Sequence, residues 1–154
     1  MKVPLPRLRS TKALAARVCR GLRGRDLILL SGDLGAGKTT FTRYLAEALG
    51  IDPAWVSSPS FTLVQRYPPG SKGLALTHVD LYRIERPGDA ESLGLEEILA
   101  GGDVVVVEWP RVADDLWAAS GRPIIEIEFG RDAAGRREAV VEAGGKREVR
   151  SEDE

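Results

Sequence analysis

Apolar positions along the chain follow two rhythms that alternate in the order strand, helix, strand. Leu14, Val18 and Leu22 recur at four-residue spacing behind Ser10 and Thr11, either of which can accept an N-cap hydrogen bond, and predict a first helix ending near Gly21 or Gly24. Residues 26–30, apolar without a break from Leu27 onward, then form a short run that stops at Ser31-Gly32, the pattern of a strand buried on both faces. In residues 40–49 the helical rhythm returns, with Phe41, Tyr44, Leu45, Ala48 and Leu49 on one face and Gly50 as the stop. Strands are predicted over residues 61–67 and 74–81, joined as a hairpin through the turn-rich residues 68–73. A helix over residues 89–99 precedes a second fully apolar, β-branched run, residues 104–107, with Glu108 at its tip. Residues 124–129 and 138–142 alternate apolar with polar and are expected to close the sheet in antiparallel fashion. The pattern predicts an α/β fold with three layers, a mostly parallel sheet and antiparallel additions. One domain over residues 1–145 would be followed by a charged tail, residues 146–154.

Composition narrows the function classes. The 154 residues are 43% hydrophobic, which suits one domain with a real core. Lys and Arg number 22 against 23 Asp and Glu, a net charge of −1, so no bulk positive field holds nucleic acid or an anionic membrane. The aliphatic runs at residues 27–30 and 104–107 are far shorter than the roughly 20 apolar residues of a spanning helix. No continuous apolar stretch near the N-terminus resembles a secretory signal, and a cytoplasmic protein is expected. The single cysteine, Cys19, excludes an internal disulfide and a multi-cysteine zinc site.

Chemistry concentrates between the first strand and the second helix. Residues 32–39, GDLGAGKT, fit G-x-x-x-x-G-K-[ST] at every fixed position, in the strand–loop–helix context the motif needs, and predict a P-loop NTPase domain. The glycines let successive N–H groups converge on phosphate oxygens while the helix aims its positive end at the same anion. Lys38 would neutralise β- and γ-phosphates, Thr39 would ligate Mg²⁺, and Thr40 would bond the α-phosphate. Phosphoryl transfer further needs a carboxylate for the metal and a group that orients the nucleophile. Asp80 and Glu108 end the two candidate strands; Glu108 follows the more deeply apolar run and is the better magnesium anchor, with Asp80 positioning water or the threonine hydroxyl. His78 reads as a packed strand residue.

With these residues in view, the chain resembles the bacterial TsaE family, ATPases of threonylcarbamoyladenosine biosynthesis. The resemblance rests on GDLGAGKTT at residues 32–40, SPSFTLV at 58–64, HVDLYRI at 78–84 and VEWP at 107–110, in the family's order, and covers about residues 11–137. It implies an ATP- and Mg²⁺-dependent ATPase that acts on a complex of the proteins TsaD and TsaB during modification of the adenosine beside the anticodon, touching tRNA only indirectly. It further implies that Gly35, Ala36, Gly37, Lys38, Thr39 and Thr40 wrap the phosphates, that Thr39 and Glu108 bind Mg²⁺, and that Asp80 belongs to the hydrolytic site. Ser60 and Thr62 would sit in a switch-like loop, Trp109 on the active-site or partner-facing surface, and Thr11 and Arg137 would contact the nucleotide.

Two other readings use the same residues. A small-molecule kinase shares the phosphate loop, with Arg83 and Arg86 as substrate or lid arginines, although residues 110–122 are short and apolar for a lid. A nucleotide-gated binding module would hold ATP to order a loop for a partner with little hydrolysis. A GTPase lacks support, because no N-K-x-D sequence occurs.

Overall fold

The computed structural model describes residues 1–56 and 63–144. The switch-like segment with Ser60 and Thr62, the first residues of the strand expected from 61, and the charged tail lie outside the described residues.

One seven-stranded mixed sheet, in the order β1-β7-β6-β2-β5-β4-β3, organises the described chain. Its centre is the apolar strand β2 (Leu27–Ser31), parallel to β5 (Val104–Glu108) on one side and to β6 (Ile124–Arg131) on the other. Beyond β5, β4 (Leu76–Asp80) is also parallel, and β3 (Val64–Tyr67) closes that edge as the antiparallel arm of the expected hairpin. The other edge is built from β7 (Arg137–Gly144), antiparallel to β6, and β1 (Lys2–Pro4), antiparallel to β7.

Side chains alternate across this sheet into two cores. Ile28, Leu30, Leu76, Val104 and Val106 pack on one face with Leu14, Val18, Phe41 and Leu45 from α1 (Leu8–Gly21) and α2 (Lys38–Ala48). Leu27, Leu29, Val79, Val105 and Val107 pack on the other with α3 (Pro87–Glu91), α4 (Leu95–Ala100) and α5 (Asp114–Ala119), where Trp117 is the largest fully buried side chain. The three layers expected from the sequence are present.

Three expectations are corrected and one strand is added. Helix α1 begins at Leu8 with Arg7 as N-cap, so Ser10 and Thr11 lie inside the helix rather than capping it. Leu5 N–H donates to Arg137 O and fixes the chain's approach, and this tertiary contact sets the helix start ahead of local capping preference. The helix expected over 89–99 is two short helices, broken where Gly94 adopts a left-handed φ of 70°. Strand β6 joins β2 in parallel, and β7 and β1 are antiparallel on that side, so among the described residues parallel and antiparallel pairings are equal in number, three each. β1 itself was not expected; its Pro4 is tolerated because the strand lies at an edge.

Below the loops, Asp103 ties β3 and β4 to the start of β5. Arg66 donates to both of its oxygens, at 2.7 and 3.1 Å, and Thr77 Oγ1 donates to it at 2.9 Å. The Arg66 bond, reinforced by Thr77 and opposed by partial burial, holds the Asp103 carboxyl below its ordinary range. A carboxyl depressed in the folded state adds stability above its unfolded pKa of about 4, and loses it as pH falls through the lower folded value. The gap in urea midpoint between the wild type and Asp103→Asn is therefore expected to be constant above about pH 4 and to narrow below it. A gap that stays the same at pH 2 would contradict this.

Candidate active site

The parallel strands β2, β4 and β5 end together, and their last side chains on the α2 face meet the loop that links β2 to α2. Gly32 opens this loop with φ 137°, and a Cβ there would lie 2.5 Å from Phe129 O, so no other residue lets the chain leave β2 this close to β6. At its end Gly37, φ 112°, is the left-handed N-cap of α2, which leaves the first N–H groups of an eleven-residue helix facing into the loop. Gly35, Ala36 and Gly37 lie in the loop just before the helix, and Lys38, Thr39 and Thr40 form its first turn.

Lys38 is 4% exposed. Its Nζ donates to Gly32 O at 2.6 Å and to Asp33 O at 2.9 Å, and lies 4.1 Å from the centroid of the Trp109 ring. Burial pulls the ammonium below the usual lysine range, while Glu108, Asp80 and Asp33 pull the other way. Trp109 reaches this position because it adopts a left-handed backbone, φ 59°, directly after β5, and Tyr82 packs on it with ring centroids 5.0 Å apart. A left-handed tryptophan costs on the order of 1–2 kcal/mol, so the tip of β5 holds strain where it covers the lysine.

Thr39 Oγ1 donates to Glu108 Oε1 at 3.0 Å and lies 3.3 Å from Oε2, joining the first turn of α2 to the end of β5. Asp80 pairs in register with Glu108 on the neighbouring strand, so the two carboxylates share one face at one level of the sheet. Asp80 Oδ1 accepts from the Tyr82 N–H at 2.9 Å, an Asx-type turn that fixes the side chain as the chain leaves β4. Both carboxylates are buried. Lys38, Thr39, Asp80 and Glu108 are thus brought together as the sequence predicted.

Thr11 and Arg137 lie on other elements at the same end of the sheet. Thr11 is buried near the start of α1, and Arg137 begins β7, where its carbonyl accepts from Leu5 N–H. The neighbouring Arg136 is engaged by Asp132 at 2.9 Å.

The sequence reading missed one member of the cluster. His78 Nε2 lies 2.6 Å from Glu108 Oε2, with the ring fully buried. Period-two alternation was the available signal, since it puts His78 on the same face of β4 as Asp80.

This donor set, a loop of N–H groups with an ammonium beside a hydroxyl and two carboxylates, suits an anion paired with a hard divalent cation. Among the described residues no group of three or more His, Cys, Asp or Glu is placed to cage a metal. A cation here would complete its shell with water and the anion's own oxygens, as Mg²⁺ does. A cavity of about 250 Å³ opens on the opposite sheet face, but four carboxylates, Glu126, Glu128, Glu142 and Asp114, line it against one cation, Arg111, and disfavour a phosphate there. No described helix is long and apolar enough to cross a membrane.

Fold and site define an α/β protein whose glycine-rich loop is faced by carboxylates from the neighbouring strand tips. The chain belongs to the family of the threonylcarbamoyl adenosine biosynthesis protein TsaE, whose family model matches residues 5–139. It is 39% identical over 137 residues to the tRNA threonylcarbamoyladenosine biosynthesis protein TsaE of Bacillus subtilis, covering 89% of this chain and 82% of that protein. The protein of the same description from Rickettsia conorii is 36% identical over 119 residues, 77% of this chain and 65% of its own. Among solved structures, the crystal structure of Bacillus subtilis YdiB superposes with a TM-score of 0.72 at 33% identity, covering 94% of this chain and 86% of that one.

Proposed function

We propose that the protein is a P-loop ATPase that hydrolyses ATP with Mg²⁺ in the cytoplasm, serving threonylcarbamoyladenosine formation on tRNA together with the proteins TsaD and TsaB. The observation that carries this reading is the convergence of Lys38, Thr39, Asp80 and Glu108 where β2, β4 and β5 end. Backbone N–H groups of residues 35–40 cradle the phosphates, and Lys38 exchanges its loop carbonyls for phosphate oxygens, neutralising charge as it develops. Thr39 and Glu108 would hold the metal. Mg²⁺ supplies charge neutralisation across the phosphates when bound. Asp80, fixed by the Tyr82 N–H, orients the attacking water in line with the γ-phosphate. Thr11 and Arg137, at the same end of the sheet, would line the nucleoside side of the site.

Against a kinase, residues 110–122 are no free lid. Buried Trp117 anchors this stretch, and its Nε1 donates to Pro110 O at 2.7 Å. The deciding experiment measures phosphate release from Mg·ATP by the protein alone, with TsaD and TsaB, and with a Lys38→Ala control. Stimulation by the two proteins that the control abolishes supports the reading. Absence of both stimulation and binding, with transfer of phosphate to a small acceptor, would replace it with the kinase.

A further inference from the structure

His78 is the central residue of β4, between Gln65 on β3 and Val106 on β5, and shares its face with Leu76. A leucine would fill that volume without desolvating two ring nitrogens, so packing alone does not account for an imidazole. One nitrogen, Nε2, contacts Glu108 Oε2 at 2.6 Å. The other, Nδ1, is buried and has no hydrogen-bond partner among the described residues. These two facts select the proton's place. With hydrogen on Nδ1 alone, a buried N–H would be orphaned and the Nε2 lone pair would face a carboxylate at contact distance. With hydrogen on Nε2, the short contact becomes a charge-assisted hydrogen bond.

We propose that His78 is a positioning residue that donates from Nε2 to Glu108 Oε2 and locks the carboxylate's orientation, leaving Oε1, the oxygen shared with Thr39, to meet the metal. The proposal rests on the ATPase reading above and names a residue that reading does not use. Glutamate's terminal torsion is broad, and an unheld carboxylate would present either oxygen, both, or neither. Thr39 constrains it only through a hydroxyl that the metal also claims. His78 is the contact that persists whichever way that hydroxyl turns, and partners of this kind typically change metal affinity by about 10- to 100-fold when removed.

The test compares wild type, His78→Leu and His78→Gln, the last placing an amide N–H where Nε2 stands. Electron paramagnetic resonance reads Mn²⁺ binding to each protein with ADP, and calorimetry reads ADP binding in EDTA. His78→Leu should weaken Mn²⁺ roughly 10- to 100-fold and His78→Gln by no more than about threefold, with metal-free ADP affinity equal in all three. Wild-type Mn²⁺ affinity in the leucine variant, or equal losses in both, would overturn the proposal. A wild type that binds neither ADP nor Mn²⁺ would instead bring down the ATPase reading on which it rests. Should the leucine variant not fold, the wild type decides. His78 is the chain's sole histidine, so its long-range ¹H–¹⁵N spectrum is unambiguous. A proton on Nε2 is expected, and its absence there would refute the assignment.

Discussion

Replacing Glu108 by alanine should lower Mg²⁺-dependent ATP hydrolysis roughly 100- to 1,000-fold while ADP binding in EDTA stays within about twofold of wild type. The carboxylate joins the α2 turn to the tip of β5 through Thr39 and lies on the same level as Asp80, so its loss removes the protein's main charged handle on the cation. The phosphate cradle is made of backbone and Lys38, which do not need that charge. Asp80→Asn separates the two carboxylates. It should lower kcat with the Mg²⁺ concentration for half-maximal rate unchanged, because a water-orienting group acts in the transition state and not on the metal. A Glu108→Ala enzyme with the wild-type metal requirement would sink the assignment of the metal to Glu108.

Arg122→Met should destabilise the fold by about 3 kcal/mol and lower Tm by roughly 6–12 °C without changing nucleotide affinity. The Arg122 side chain is 5% exposed and donates to the carbonyls of Leu99, Asp103, Ile98 and Gly101 at 2.9, 2.6, 3.1 and 2.8 Å. Three of these belong to the end of α4, whose last carbonyls have no partner within the helix. Arg25 meets Gly101 again and Ala100 from the exposed side. Methionine keeps much of the volume but removes the donor from Leu99 O and Asp103 O, while Ile98 O keeps the Gly101 N–H and Gly101 O keeps Arg25, next to the start of β5 at the opposite end of the sheet from the site. Arg122→Lys, with one ammonium in place of a planar fork, should fall between the two. A loss under about 1 kcal/mol for methionine would mean that water replaces the guanidinium.

What could be read from the residues divides along physical lines. The glycine-rich loop was legible because strand, loop and helix are contiguous and each is set by local chemistry. Glu108 was legible because the run of valines before it is apolar on both faces, which only a covered parallel strand needs. The orientation of β6 was not, because Glu126 and Glu128 alternate with Ile125 and Ile127. Alternation reports that one face is uncovered, and here the core shared with α3, α4 and α5 reaches β6 only at Ile124, so a parallel strand carries the pattern usual for antiparallel ones. Arg122 resisted reading for another reason. Its partners are main-chain carbonyls, which leave no trace in side-chain identity, and an arginine beside a proline reads as surface. His78 looked like packing because its partner, Glu108, lies on a different strand, and sequence spacing does not show which strand tips become neighbours.

The strand order also sets how the chain must assemble. Leu27 at the centre of the sheet pairs with Val105 and Ile124, so β2 closes loops on both sides that span most of the protein. By contrast β6 and β7 meet through a short turn that starts at the Arg131–Arg137 pair, and β3 and β4 form a similar hairpin. Loop-closure entropy lets such hairpins form early and makes the central parallel pairings wait, which slows folding. The glycine-rich loop follows the strand whose two ladders join residues far apart in sequence, so the phosphate site depends on the least local pairings of the sheet. A chain that lost β6 would lose one flank of β2, and with it the Phe129 backbone against which Gly32 turns.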